Sequence, residues 1–178
     1  MSGTRVREMT LDDCARVAEI RVRGWQTAYE GLIPRSYLDG LSVTEDAVRR
    51  RRALEQGDGG VVNLVAERDG SVVGWACHGP HRDGEVRSGE VELYAIYVHP
   101  DVLGQGIGQA LLRESADRCA AAGHERMLLW VLKENAPARR FYERAGFRPD
   151  GAEEAFEAAG VAVPEVRYTR VLTGGDAD

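Results

Sequence analysis

The chain has 178 residues, 43% of them hydrophobic and 29% charged, a composition typical of one soluble globular domain with a substantial core. Its formal net charge of −6 argues against a general nucleic-acid-binding protein, and no apolar run approaches the ~20 residues that cross a membrane. The N-terminus lacks a basic-then-apolar signal segment, and three scattered cysteines suit neither a disulfide framework nor a zinc site. We therefore expect a cytoplasmic protein.

Strands and helices alternate in the pattern of apolar residues, which predicts an α/β fold. Strands are predicted over 5–9, 61–67, 72–78, 91–98, 127–132, 147–156 and 165–172. Helices are predicted from Thr10 to 29–31, over 44–56, after a glycine-rich turn near 106, and from Asn135 to Gly146, with a polar loop over 79–88. Thr10 with Asp13 has the form of a capping box, and Asp69-Gly70 is typical of a hairpin turn. We expect one domain over 1–172 and a disordered tail over 173–178.

The stretch 91–112 is the most informative part of the sequence. Its strand is apolar on both faces apart from Glu92, which favours a buried strand at the centre of a sheet. The helix that follows is predicted to place one ridge in the core, formed by Ile107, Leu111, Ser115 and Cys119. Gly104, Gly106 and Gly108 let a ligand approach the backbone, and the helix start presents free N–H groups and a positive dipole end. Residues 103–109, here called the glycine turn, are therefore predicted to bind phosphate.

Two familiar phosphate-binding motifs do not fit the glycine turn. A P-loop ends in Gly-Lys-Ser/Thr, whereas Gly108 is followed by Gln109 and Ala110. A Rossmann fingerprint needs G-x-G-x-x-G, whereas the glycines here are spaced G-x-G-x-G. A nucleotide-binding module is thereby disfavoured, and the pyrophosphate of coenzyme A remains as the candidate.

The glycine turn resembles the cofactor motif Q/R-x-x-G-x-G/A of the GNAT superfamily of acetyl-CoA-dependent N-acyltransferases. With Gly106 and Gly108 as the motif glycines, Leu103 occupies the Q/R position, which is a departure from the pattern. The frame that begins at Gln105 matches the formula literally, but it places the motif glycine positions too late in the sequence relative to the start of the helix. The preferred frame keeps the backbone N–H groups as phosphate ligands and removes any polar side-chain contact from position 103.

A second motif of that family, N-x-x-A-x-x-x-Y-x-x-x-G-F, is matched over 135–147 by Asn135, Ala138, Tyr142, Gly146 and Phe147. The same residues form a complete short helix, with Asn135 as N-cap, Pro137 in the first turn and Gly146 at the end. The specific residues of the resemblance lie within 91–148. It implies a single mixed, twisted sheet of about six to seven strands with a splayed central pair and about four flanking helices.

The resemblance also implies the activity. It implies transfer of acetyl from acetyl-CoA to a primary amine, on a small molecule or a peptide, by direct attack in a ternary complex. An acyl-CoA-binding or sensory domain with little catalysis, or transfer of a longer acyl group, are the alternatives. The resemblance does not identify the acceptor, and a homodimer is compatible with it. The four histidines lack metal-ligand spacing, so no metal is expected.

Two residues are candidates for proton transfer. Glu92 is the one carboxylate in an apolar strand, so burial is expected to raise its pKa and fit it to take the amine proton, directly or through water. Its alternative is a strand-end glutamate beside Glu90 that contacts solvent or an arginine. The resemblance places the Tyr142 hydroxyl beside the cofactor sulfur, where it would protonate the leaving thiolate. Its alternative is a core aromatic.

The remaining candidate residues are those expected to bind the cofactor and the acceptor. The resemblance assigns the pantetheine arm to the backbone of Ile96, Tyr97 and Val98. It assigns the phosphates to Gly104, Gln105, Gly106, Ile107, Gly108 and Gln109. Asn135 either bonds the cofactor as well or only caps its helix. Four aromatic residues either wall the acceptor pocket or fill the core: Trp25, Tyr29, Tyr94 and Trp130.

Overall fold

One mixed sheet of seven strands runs through the computed structural model, which describes residues 3–57, 59–81 and 89–172. In chain order the strands are β1 Arg5–Glu8, β2 Val62–Arg68, β3 Ser71–Pro80, β4 Glu90–Val98, β5 Arg126–Leu132, β6 Arg148–Ala158 and β7 Val161–Val171. They lie in the order β1-β2-β3-β4-β5-β7-β6. The pair β4 and β5 is parallel, and the other described pairs are antiparallel. The predicted strand count and the central position of β4 are confirmed.

Five α-helices flank the sheet. They are α1 Cys14–Ala28, α2 Arg35–Asp39, α3 Val43–Gln56, α4 Ile107–Ala121 and α5 Ala136–Arg144. Val65 and Trp75 pack with Ile20 of α1, whereas Leu64 and Ala76, which point the opposite way along the same strands, pack with Leu111 of α4. The helices therefore form two layers, with α1 on one face of the sheet and α4 on the other. The predicted ridge of α4 is buried in full.

Local predictions hold where a short motif determines the structure. The capping box is present, and the Thr10 backbone N–H donates to Asp13 Oδ2 at 2.8 Å. Asp69 and Gly70 have φ of 52° and 76°, as a tight hairpin turn requires. The helix α2 was not predicted, because five residues are too few to show a helical period. Residues 82–88 of the predicted polar loop and the predicted tail 173–178 lie outside the described residues.

The central pair of strands separates along its length. In the described ladder, β4 and β5 pair at Glu90↔Arg126, Val91↔Met127 and Glu92↔Leu128. Beyond these pairs, β4 continues along β3, and β5 continues along β7. The second halves of β4 and β5 therefore enclose a gap in the middle of the sheet, which confirms the splayed pair.

A bulge in β4 changes which residues face each layer. Cys77 pairs with Ala95 and His78 pairs with Leu93, so Tyr94 is the additional residue. Tyr97 then packs on the α1 side and Ile96 on the α4 side. Among the described residues, no helix has the length and apolarity to cross a membrane.

Candidate active site

A cavity of about 540 Å³ occupies the gap between β4 and β5. Its wall includes residues 93–98 of β4, 130–132 of β5, most of the glycine turn, part of α5, the end of α1 and Glu165 of β7. Tyr142 and Ile96 belong to the layer of α4 and α5, whereas Tyr29 packs in a cluster with Leu132 on the other face. The cavity therefore reaches both faces of the sheet, and its two halves meet at the gap.

The glycine turn forms one part of the wall. Gly104 and Gly106 have φ of 75° and 80°, which other residues adopt only with strain, and a Cβ at either position would meet no atom within 4 Å. Gly106 is the N-cap of α4, whose ladder starts with Ala110 N–H donating to Gly106 O, so the N–H groups of the first turn have no partner within the helix. Open space beside free N–H groups suits an anion.

The predicted phosphate ligands do not all face the cavity. Gly104, Gly106, Ile107, Gly108 and Gln109 line it, as does Leu103, which is 57% exposed at the edge. Within the described residues, Gln105 lies outside the wall, because its side chain is turned toward Arg68.

The edge of β4 supplies the second binding element. Ile96, Tyr97 and Val98 line the cavity and pair with β3 on one side only. Because successive backbone groups of a strand point to opposite edges, half of their N–H and C=O groups face the gap. An extended ligand arm can therefore bond there as an added strand would.

Asn135 and Tyr142 approach the cavity from α5. Asn135 is buried and lines the wall, and its Oδ1 accepts from Ala138 N–H at 3.3 Å, so it caps α5. The Tyr142 ring packs against Phe141 and Phe147, with centroids 5.2 and 5.9 Å away. Burial raises the pKa of Tyr142. Its hydroxyl therefore stays protonated at neutral pH and is suited to donate a hydrogen bond.

Glu92 is only 2% exposed and pairs across the sheet with Leu128 and Gly79. Among the described residues it lies behind the cavity wall and not in it. Glu92 therefore does not contact the cavity directly. Of the two alternatives that the sequence left open, proton transfer to Glu92 through water is the one that remains.

The half of the cavity on the face opposite α4 and α5 is aromatic and contains a carboxylate that the sequence did not indicate. Tyr29, Tyr94 and Trp130 line the cavity, and Trp25 stands behind Tyr29 with ring centroids 4.9 Å apart. The hydroxyls of Tyr29 and Tyr97 are 2.9 Å apart, and burial raises the pKa of both. Glu165 lines the same half and opposes Leu132 across the sheet. No local sequence motif indicates that Glu165 belongs to the site. Its strand, β7, reaches the cavity because it lies between β5 and β6 in the sheet.

A family model described as Acetyltransferase (GNAT) family matches residues 25–147. The chain belongs to the GNAT family. It is 36% identical to the uncharacterized N-acetyltransferase YuaI of Bacillus subtilis over 162 residues, which cover 90% of this chain and 89% of the relative.

Solved structures share the GNAT fold. YncA of Salmonella typhimurium, determined with acetyl-CoA, has a TM-score of 0.73 at 24% identity over 99% of this chain and 98% of its own. The PaiA N-acetyltransferase of Thermoplasma acidophilum, determined with coenzyme A, has a TM-score of 0.72 at 18% identity over 95% and 99%.

As a GNAT protein, the chain is an acetyl-CoA-dependent acyltransferase. The site fits this cosubstrate in two independent places. The glycine turn offers free N–H groups and open space for the pyrophosphate, and the unpaired edge of β4 offers backbone partners to the pantetheine arm.

Proposed function

We propose that the protein transfers the acetyl group of acetyl-CoA directly to a primary amine, with both substrates bound at once in the domain formed by residues 1–172. One observation carries this proposal: a single cavity joins the glycine turn on one face of the sheet to an aromatic, acidic half on the other. A donor held at the turn and an amine held against Tyr29 and Glu165 would meet in the gap. The acceptor is a small molecule or an exposed peptide amine.

The acceptor half favours a cation. An alkylammonium is charged at neutral pH because its pKa lies near ~10.4. Among the described residues of the wall, the charged groups are Glu165 and Arg144, and Arg144 lies on α5 in the donor half. Glu165 therefore attracts the ammonium, and the ring of Tyr29 offers a face that attracts cations.

Proton transfer then needs one acceptor and one donor. Glu92, reached through water, receives the proton that leaves the ammonium, so the nitrogen lone pair is free to attack. Backbone N–H groups of residues 96–98 that face the gap stabilise the negative charge that develops on the carbonyl oxygen. The Tyr142 hydroxyl donates a proton to the departing sulfur, and the second proton that the new amide nitrogen loses returns through water to the Tyr142 oxygen. Acetyl-CoA supplies the acyl group and the thiolate leaving group.

Release of free thiol from acetyl-CoA with a panel of amines tests the activity. When both substrates are varied, double-reciprocal plots of the initial rate that intersect support direct transfer. Parallel plots indicate an acyl-enzyme intermediate and refute direct transfer. Faster turnover with butyryl-CoA than with acetyl-CoA would favour the longer acyl donor. Tight acetyl-CoA binding without turnover of any amine would favour a sensory domain.

The same site supports two lesser proposals. A cytoplasmic location agrees with the use of acetyl-CoA, and a homodimer is the second proposal. Sedimentation of the purified protein decides the second.

A further inference from the structure

An arginine outside the cavity wall contacts the glycine turn from behind. Arg68 is the last residue of β2, and its Nη1 donates to Gln105 Oε1. Its Nη2 donates to the backbone oxygen of Gln105 at 3.4 Å and to Thr4 Oγ1 at 3.1 Å. One guanidinium thus connects β2, the segment before β1 and the middle of the glycine turn.

The contacted residue is the point where the turn most needs support. Gln105 lies between Gly104 and Gly106, both in left-handed conformations that a flexible chain leaves easily. Ordering such a turn when a ligand binds costs conformational entropy, and holding it beforehand improves affinity. Arg68 holds both the side chain and the backbone of Gln105.

The turn also lacks the side chain that the GNAT motif has at its first position. Leu103 stands there, exposed and without a hydrogen-bond donor. A pyrophosphate bound at the turn would carry negative charge, and the Arg68 guanidinium places a positive charge on the far side of the same turn.

We propose that Arg68 is a positioning residue for acetyl-CoA, which fixes the glycine turn in its phosphate-binding conformation through Gln105 and compensates for Leu103. The role depends on the phosphates and not on the acceptor amine, so it stands or falls independently of the proposed transfer reaction.

Calorimetry with two donors tests this role. Acetyl-CoA has the pyrophosphate, and acetyl-pantetheine has only the arm and the thioester. Arg68→Ala should weaken acetyl-CoA binding about 10-fold, the lower end of the effect of losing hydrogen bonds to a charged group, and leave acetyl-pantetheine binding unchanged. Steady-state rates should show a raised KM for acetyl-CoA with kcat retained.

Three further variants separate the effect of the Arg68 charge from the effect of its contact with Gln105. Arg5→Ala is the matched control, because Arg5 is an exposed cation on the strand beside β2 and should leave both donors unaffected. Gln105→Ala keeps the charge of Arg68 and its bond to the backbone oxygen of residue 105 but removes the side-chain partner, so it should also weaken acetyl-CoA binding selectively. Arg68→Lys should restore part of the affinity.

Three results would overturn the proposal. The first is an equal loss for both donors, since that is the signature of general destabilisation. The second is unchanged acetyl-CoA affinity in Arg68→Ala. The third is unchanged affinity in Gln105→Ala, which would leave a charge effect without positioning. If Arg68→Ala does not fold, Gln105→Ala and Arg68→Lys still give the answer. Gln105→Ala retains the charge of Arg68 and its bond to the backbone oxygen of residue 105. Arg68→Lys retains a positive charge at position 68.

Discussion

Replacing Gly106 by alanine separates backbone strain from loss of the phosphate site. Gly106 has φ of 80°, where an L-residue costs roughly 1–2 kcal/mol, and an added Cβ would meet no atom within 4 Å. The fold should therefore survive. For a domain of this size each kcal/mol lowers Tm by about 2–4 °C, so the Tm of Gly106→Ala should fall by roughly 2–8 °C.

Acetyl-CoA binding should suffer more than stability. The new methyl group would stand at the start of α4, where the free N–H groups line the cavity, and any shift of the turn would move those donors. Each hydrogen bond to a charged group contributes about 1.5–3 kcal/mol, so the loss of one should weaken binding by roughly 10–100-fold.

Gly160→Ala is the control for strain. Gly160 has φ of 77°, also with no atom within 4 Å of an added Cβ, and lies in the β6–β7 turn outside the described cavity wall. Its Tm should fall by a similar amount while calorimetry shows wild-type affinity for acetyl-CoA. If Gly106→Ala also binds acetyl-CoA like the wild type, the pyrophosphate lies elsewhere and the assignment of the glycine turn is wrong.

Tyr142→Phe should lower kcat and kcat/KM together by about 10²-fold, with unchanged acetyl-CoA affinity and a smaller loss for thioesters of more acidic thiols; a change in KM alone would make Tyr142 a binding residue. Glu165→Gln should raise the KM of the amine, whereas Glu92→Gln should lower kcat/KM most near neutral pH and less toward the amine pKa; parallel pH–rate profiles for Glu92→Gln and the wild type would exclude Glu92 as base. Burial lowers the pKa of His78 to about 4, so the native state resists its protonation, and the free energy of unfolding should fall by up to about 3 kcal/mol as pH drops from 6.5 to 4. Chemical denaturation of His78→Asn should show a flatter pH dependence over that window, and an equal slope would refute the assignment.

The elements and both motifs could be predicted because each depends on neighbours in sequence. Asn135 caps α5, and Gly106 opens α4, as short-range patterns indicate. The directions in which side chains face were harder to predict from the sequence. The extra residue Tyr94 changes the facing of β4, and a continuous apolar run gives no sign of such a bulge.

The residues that the sequence did not reveal reach the site through tertiary structure. Glu165 lines the cavity because β7 inserts beside β5, and Arg68 contacts Gln105 from a hairpin 37 residues away in sequence. Glu92 was expected to take the amine proton, directly or through water, and the pairing of β4 with β5 persists through Glu92, so that it lies behind the wall. Periodicity reports burial, and it cannot distinguish burial beside a cavity from burial behind one.

The gap would allow the proposed donor and acceptor sites to meet in this fold. A sheet that stayed paired between β4 and β5 would satisfy more backbone groups, and each buried group left unpaired costs about 1–3 kcal/mol. That cost is tolerable only where water or a ligand supplies the missing partners. The pantetheine arm has amide groups that can do so from within the sheet plane, which would place its thioester in the gap, where the cavity reaches both faces. The proposed acceptor would then approach the carbonyl through the gap, where the Tyr97 hydroxyl, on the gap-lining stretch of β4, lies 2.9 Å from that of Tyr29 on the other face.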